Sequence, residues 1–491
     1  MSNSNAFTID QLTLEQPFIG LGEDFFTLTP PEGLPSPRLL HFNTQAANLI
    51  GLPDDIANHP DTIEFLCGNR LPVTARSIAT IYAGHQFGYY VPQLGDGRAL
   101  SIGITNHATQ GKQELQFKGS GRTPFSRSGD GRAVVRSSLR EYLCSEAMHG
   151  LGIPTTRALS LVDSPLPVFR ESTETAAVII RIAPGFIRFG HFELFYYRKQ
   201  TDQLRALADY VIAHHYPEFA SASAPYTALL QEISRRTAVL MAQWQAVGFT
   251  HGVMNTDNMS VLGLTLDYGP FGFLDRYEPG FVCNHSDEMG RYAFDQQPDI
   301  AGWNLSRLAQ ALSPLTGEAD ARDALQDYPR QFASAYINLM SAKLGLPAQK
   351  ENVSVILSML ELLHRNQIDY TIFLRRLCDF EPDTNASNAP LRDLFINRAD
   401  FDAWATDYRA LLARHPHPDR RTAMRQVNPK FILRNYLAEN AIRIVRDEGD
   451  TTEIDRLLTI LHHPFDEHPT LERYADLPPD WAQELSLSCS S

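Results

Sequence analysis

The sequence predicts an α+β protein of two lobes, β-rich in its first part and helical in its larger second part. Three observations carry this expectation. From residue 88 to residue 182, short alternating apolar runs are broken by glycine and proline, the pattern of strands. From about residue 203, apolar residues recur instead at helical, 3.6-residue spacing. Finally, 491 residues are enough to bury more than one core.

Residues 1–75 read as an N-terminal extension, proline-rich and irregular, with no chemistry of its own. The first lobe spans residues 76–202. His85, among the aromatics of residues 82–90, reads as a hydrogen-bonded packing residue rather than a ligand. GYYVPQLGDGRALSIGITN reads as two strands joined at Gly95-Asp96-Gly97-Arg98, because Asp-Gly is a strong hairpin signal. QELQFKG is a further strand that ends on Lys118. A glycine-rich loop follows, and residues 132–150 take helical spacing with Val135, Leu139 and Leu143 on one side. On that helix, Arg132, Arg136 and Arg140 at i,i+4 spacing read as a solvated basic face. AAVIIRIAP is the clearest strand of the lobe and carries Arg181 near its end, with Arg188 seven residues on. The second lobe, residues 203–480, shows helical periodicity over 204–213, 226–247, 303–312, 328–344, 353–365, 401–414 and 430–447. Residues 481–491 form a C-terminal tail containing Cys489.

Composition narrows the function. A net charge of −14 argues against a general nucleic-acid or anionic-membrane binder. No apolar run approaches the roughly 20 residues a membrane span needs. The first residues lack the pattern of a secretory or organellar leader, so a cytoplasmic protein is expected, with a monomer as the default. The five cysteines are scattered without a CxxC pair, which fits neither a zinc site nor a disulfide framework.

Within this acidic chain, Lys118, Arg122, Arg127, Arg132, Arg136 and Arg140 concentrate positive charge around a glycine-rich loop and the helix after it, and a bound polyanion such as a nucleotide is the natural partner. The order is a glycine turn, a strand, a strand ending in Lys118, then a helix bearing Glu141. That is the order of a protein-kinase-like bilobal fold, in which the lysine meets phosphates and the glutamate positions it. There is no Walker A pattern. Downstream, THGVMNTDNM resembles a kinase catalytic loop, with Asn258 as metal ligand, and LDYG resembles the motif whose aspartate, here Asp267, holds Mg²⁺. Val253 stands where a protein kinase has its catalytic aspartate, and Asp257 is the available carboxylate instead.

Taken together, GDGRA, KGSGRTPFSRSGDGRAVVRSSLREYL, HGVMNTDNM and LDYGPFGFLD resemble the selenoprotein O family, called YdiU in bacteria, over nearly the whole chain. The resemblance implies a kinase-like fold with family-specific extensions, binding ATP in reversed orientation and transferring AMP to Ser, Thr or Tyr hydroxyls of proteins. UMP transfer from UTP, with Mn²⁺, is also ascribed to bacterial members. It implies nucleotide contacts from Gly95, Gly97, Arg98, Lys118, Asp130, Gly131, Arg181, Arg188 and Asp267. Asp257 would be the proton acceptor, Glu141 would orient Lys118, and Asn258 and Asp267 would hold Mg²⁺ or Mn²⁺. By the same resemblance, Cys489 and Cys283 are candidates for a regulatory disulfide. Two other readings compete: a phosphotransferase using Asp257 as base, and a non-catalytic nucleotide-binding scaffold, against which the intact Asn258 and Asp267 count.

Overall fold

A computed structural model describes residues 7–485 and residue 487. The protein is mixed α/β, with an antiparallel sheet in its N-terminal part and a helical C-terminal region. Twelve strands are described. β1 (Phe26–Leu28), β2 (Arg38–Phe42) and β3 (Ile78–Thr80) come first, then the small hairpin β4 (Gly84–Gln86) and β5 (Tyr89–Val91). β6 (Ala99–His107), β7 (Gly111–Lys118), β8 (Ala133–Val134), β9 (Arg157–Phe169) and β10 (Thr173–Ala183) follow. β11 (Phe249–Thr250) and β12 (Gly272–Phe273) pair with each other far downstream. The main sheet runs β1-β3-β6-β7-β10-β9-β2, with β8 beside the start of β10. The proline-rich stretch read as irregular therefore supplies the sheet's two edge strands.

Period-two alternation decides what each face of this sheet meets. Leu115 and Phe117 of β7, with Val178, Ile180 and Ile182 of β10, enter a core closed by Ile50, Phe65 and Leu66 of the N-terminal segment. Ile179 enters the opposite core, beside Leu139 and Leu143. The intervening positions on that second face are polar: Gln116, Lys118 and Arg181. Antiparallel register sets Lys118 opposite Ile179 and Gln116 opposite Arg181. One face of two adjacent strands thus delivers the lysine and the arginine side by side.

That face is covered by α1 (Val135–Gly150), which is buried on nearly every side. β9 and β10 pack against one flank, and two late helices, α5 (Asn435–Glu448) and α6 (Thr452–His462), close the other. This corrects the expected solvated arginine face. Arg132 hydrogen-bonds the Glu32 carbonyl and Arg136 pairs with Glu174, but Arg140 is only 2% exposed. Its guanidinium lies 4.5 Å from the centre of the Phe271 ring and donates to Asn435 Oδ1 at 3.2 Å. Burial without a carboxylate partner pulls its pKa down to about 10.

The Asp-Gly hairpin is a second correction. β5 pairs with β4 and not with β6, and the hairpin that leads to Lys118 is β6–β7. Segment 92–98 instead runs back along β3, where the buried Asp96 carboxylate accepts from the backbone N–H and hydroxyl of Thr80. An aspartate used as a fastener is unavailable to a turn. Gly95 has φ +137, and a Cβ there would lie 2.5 Å from the Phe125 ring, so only glycine lets the following loop close over this segment.

The helical region includes α2 (Phe189–Tyr197), α3 (Pro225–Val247) and α4 (Gln297–Thr316), with a further helix over Thr201–His215 between the first two. α3 starts with proline at its first turn and ends on Gly248 in the left-handed conformation, the expected punctuation at both ends. The next residues are β11, and the β11–β12 pair brackets the loops of residues 251–271. No helix of the described residues is long and apolar enough to cross a membrane.

Candidate active site

Between the sheet and the helical region lies a cleft of about 470 Å³. Its lining brings together every residue expected at a nucleotide site: Gly95, Gly97, Arg98, Lys118, Asp130, Gly131, Glu141, Arg181, Arg188, Asp257, Asn258 and Asp267. Arg127 also lines it, whereas Arg122 is exposed and outside the lining.

At the floor, three cations converge on one carboxylate. Asp267 Oδ1 accepts from Arg181 at 2.5 Å and lies 4.0 Å from Lys118 Nζ, while Oδ2 accepts from Arg188. Lys118 also pairs with Glu141, and Arg181 reaches Glu141 at 3.0 Å and Gln116. Burial opposes ionisation of Asp267, yet Arg188, Arg181 and Lys118 outweigh it and hold its carboxyl well below the usual range. Burial pulls the Lys118 ammonium down to about 8 despite Glu141. Asp267 adopts φ +61, a left-handed backbone uncommon for a residue other than glycine, and this aims its carboxylate into the cleft.

At the side, Asp257 and Asn258 occupy a short 3-10 turn (Thr256–Asn258). Arg188 donates to the Asp257 carbonyl at 2.8 Å, and Asn258 Nδ2 donates to the Val253 carbonyl at 3.0 Å. The Asp257 carboxylate accepts from Gln86 Nε2 at 3.0 Å through Oδ2, while Oδ1 is buried without a hydrogen-bond partner. Burial raises this carboxyl to about 6. The β4–β5 hairpin and α2 pack directly on it. A Cβ on Gly190 would lie 2.2 Å from the Ala83 carbonyl oxygen and 3.5 Å from Asp257 Cα, so glycine is required for this approach.

His251 ties the two loops together. Its Nε2 is 2.9 Å from the Leu266 carbonyl oxygen, its backbone N–H donates to Gln297, and its ring stacks on Trp244. His85 is the packing residue it was expected to be, with Nδ1 2.9 Å from Glu193 Oε1 and Trp303 against its ring.

Sequence reading missed Gln86, Gln116 and Arg170. Gln116 was within reach, since it shares the Lys118 face two residues earlier. Arg170 carries no local signal, because it sits in the β9–β10 turn. It makes two 2.9 Å bonds to the Asp130 carboxylate and a third, at 3.0 Å, to the Arg132 carbonyl. Hydrogen bonds from Arg170 keep the Asp130 carboxyl below its ordinary value. Cys283 is buried, with Sγ 2.6 Å from the Pro270 carbonyl oxygen. Its expected partner Cys489 lies outside the described residues.

Two oxygen donors face the cleft from separate loops, the Asp267 carboxylate and the Asn258 amide. Asn258 spends its N–H on Val253, leaving the amide oxygen, and a carboxylate has lone pairs beyond those taken by two arginines. Hard oxygen ligands, few in number, suit Mg²⁺ or Mn²⁺ completed by phosphate oxygens and water. Among the described residues, no cluster of three or more His, Cys, Asp or Glu forms a self-sufficient metal site.

The sequence that builds this fold and cleft is that of a class of protein nucleotidyltransferases. Residues 8–462 match the family model described as protein adenylyltransferase SelO, and the chain belongs to that family. It is 57% identical to protein nucleotidyltransferase YdiU of Thiobacillus denitrificans over 99% of this chain and 100% of the relative. It is 52% identical to the proteins of that name from Paraburkholderia xenovorans, over 97% of this chain and 95% of the relative, and Thioalkalivibrio sulfidiphilus, over 98% and 99%.

Proposed function

We propose that this protein transfers AMP from ATP, or UMP from UTP, to Ser, Thr or Tyr hydroxyls of proteins, with release of pyrophosphate. One observation carries the reading. Lys118, Arg181 and Arg188 are buried together at the floor of the cleft, while Asp257, whose carboxyl titrates near 6, sits at its side. A reaction at the α-phosphorus expels pyrophosphate, and its concentrated charge needs several buried cations. Attack at the γ-phosphorus would call for less, because ADP is held largely by one lysine and metal. The frame is read as a kinase-like one in which the nucleotide enters reversed, phosphates towards Arg181 and Arg188 and base towards Arg98, Asp130 and Gly131.

In this scheme the acceptor hydroxyl approaches Asp257 and its oxygen attacks the α-phosphorus. The hydroxyl proton passes to the Asp257 carboxylate as the new P–O bond forms. The bond from the α-phosphorus to its bridging oxygen breaks, and pyrophosphate leaves against Lys118, Arg181 and Arg188. Glu141 keeps Lys118 extended into the cleft. Asn258 and Asp267 would hold Mg²⁺ or Mn²⁺, which neutralises charge on the phosphate oxygens. Asp267 engages both arginines, so phosphates arriving there compete with an anion already in place.

The test is label transfer from ATP carrying ³²P at either the α- or the γ-position, with Mg²⁺ or Mn²⁺ and cell extract as acceptor. Covalent α-label with a nucleoside-monophosphate mass gain is expected. Lys118→Ala and Asp267→Ala should each lower it by about 100-fold or more. Covalent γ-label alone would make the protein a kinase and overturn the proposal.

A further inference from the structure

One rim of the cleft differs in character from the rest of this acidic molecule. The β4–β5 hairpin that carries Gln86, the hydrogen-bond partner of Asp257, turns outward at Phe87 and Gly88. Arg291 packs against that turn, where a Cβ on Gly88 would lie 3.4 Å from its guanidinium carbon. Arg291 lies 4.7 Å from the Trp303 ring centre, and Arg307 approaches the same indole at 5.2 Å. Tyr90 and Tyr197 meet with ring centres 3.9 Å apart and planes tilted by 34°, and His85 fills the space between them and Trp303. Arg198 and Lys199 follow Tyr197 and are exposed.

Two features of this rim point to a polypeptide ligand. The first is exposed apolar surface. Tyr89 is 80% exposed and Met289 92%, with Val282 and Tyr197 also open to solvent. Large exposed apolar groups clustered beside a cleft mark an interaction site, and Tyr, Trp, Met and Arg are the residues enriched where proteins meet. Beside them, Tyr197, Phe195, Lys199 and Gln310 line an open cavity of about 360 Å³, room for an anchoring side chain. The second is unspent charge. Arg307 donates to the neutral oxygens of Ser306 and Gln310, and Arg291 rests on aromatic rings. Among the described residues no carboxylate forms an ion pair with Arg198, Lys199, Arg291 or Arg307. In a chain of net charge −14, these four cations gather around one aromatic floor, while the nearby carboxylates are engaged inward, Glu193 with His85 and Asp287 with the backbone of Arg291 and Tyr292.

We propose that this rim docks an acidic, extended segment of the protein substrate, placing a neighbouring hydroxyl at Asp257. The assignment rests on the reading of the cleft as a nucleotidyltransferase site, since it takes Asp257 as the point the hydroxyl must reach. Carboxylates flanking the acceptor meet Arg198, Lys199 and Arg307, and an apolar residue of the segment enters the aromatic cavity. Specificity then comes from charge at the rim and catalysis from the floor, two sets of residues that do not overlap.

The experiment uses the full chain and three synthetic 15-residue peptides with a central Ser, Thr and Tyr flanked by Glu, by Gln or by Lys. Binding is read by fluorescence anisotropy and transfer by α-labelled ATP. The Glu-flanked peptide should bind, and be labelled, about tenfold better than the Lys-flanked one. Arg307→Glu combined with Arg198→Glu should reverse that order, with the nucleotide affinity measured alongside as the control for an intact floor. Tyr89→Ala, an exposed position that folding does not need, should weaken peptide binding alone. Transfer without any charge preference, or a preference that survives the double reversal, would overturn the docking surface while leaving nucleotidyl transfer intact. Charge-selective binding by a protein that gives extract proteins γ-label and no α-label would keep the surface and overturn nucleotidyl transfer. Absence of binding for all three peptides, with α-label still entering extract proteins, would overturn the docking surface alone.

Discussion

Asp257 is held in a form that suits a base and strains the fold. Burial pushes its carboxyl up to about 6, outweighing the help of Gln86 and Arg188. Activity is therefore expected to fall about tenfold per pH unit below pH ~6, as the carboxylate takes up its proton. The stability consequence has the opposite sense from that of an ordinary ion-paired aspartate. Between the unfolded value near 3.8 and the folded value near 6, the native state binds more proton, so stability declines as pH rises through that window. Asp257→Asn should thus abolish transfer yet raise stability at pH 7 by ~1–3 kcal/mol, measured by urea denaturation. A destabilised Asn variant would mean that the carboxylate is ionised at a net gain to the fold. At this scale much was legible. Lys118 and Arg181 stand out because a cation at the end of a buried strand needs an anionic partner. Asp257 stands out because Val253 leaves the usual position without a carboxylate. Gln86 and Arg170 were not legible, since each acts by touching a residue distant in sequence from a loop of unremarkable composition.

The helix α1 shows why elements were read less well than residues. Its spacing identifies a helix with one apolar side, and from one segment the other side is naturally assigned to water. In the folded chain that other side meets α5 and α6, so Arg140 is buried and Glu146 is wholly enclosed. Glu146 accepts two bonds from Arg157, at 2.8 and 2.7 Å, and lies 2.8 Å from His462 Nε2. Burial pushes this carboxyl up, but the hydrogen bonds from His462 and Arg157 prevail and bring it to about 2. Relative to 4.5 when unfolded, this contributes roughly 3 kcal/mol above pH ~4.5, lost as pH falls towards 2. Glu146→Ala should cost about 3–5 kcal/mol, because it leaves Arg157 buried without its anion. It should also weaken ATP binding, since the same helix carries Glu141. A loss below 1 kcal/mol in a denaturant titration would show that the cluster is not a clamp. The Asp-Gly turn failed for a related reason: its aspartate answers to Thr80 on another strand.

Seen whole, the molecule assembles its cleft from parts spread along the chain. The N-terminal segment edges the sheet, the central residues line the cleft, and the last two α-helices pack against α1. A chain ending at residue 434, which keeps every residue of the cleft but lacks α5 and α6, is expected to lose cooperative thermal unfolding. A sharp, native-like melt from that shortened chain would contradict the role given to the late helices. The succession of a sheet-rich part and a helical part was readable in the change from alternating to helical periodicity. The dependence of the first part on the last was not, because contacts across such separations leave no trace in local pattern.

The Glu146–His462 bond also has a meaning in time. These residues are 316 positions apart, and at ~5–20 residues per second a ribosome needs roughly 15–60 s to make the chain between them. For much of that interval Lys118, Asp257 and Asp267 already exist, but the helix that carries Glu141 lacks the cover of α5 and α6. An enzyme that labels proteins is best kept silent while still tethered beside the newest proteins in the cell. Nascent chains arrested before α6 should capture no ATP, whereas released full-length chains should.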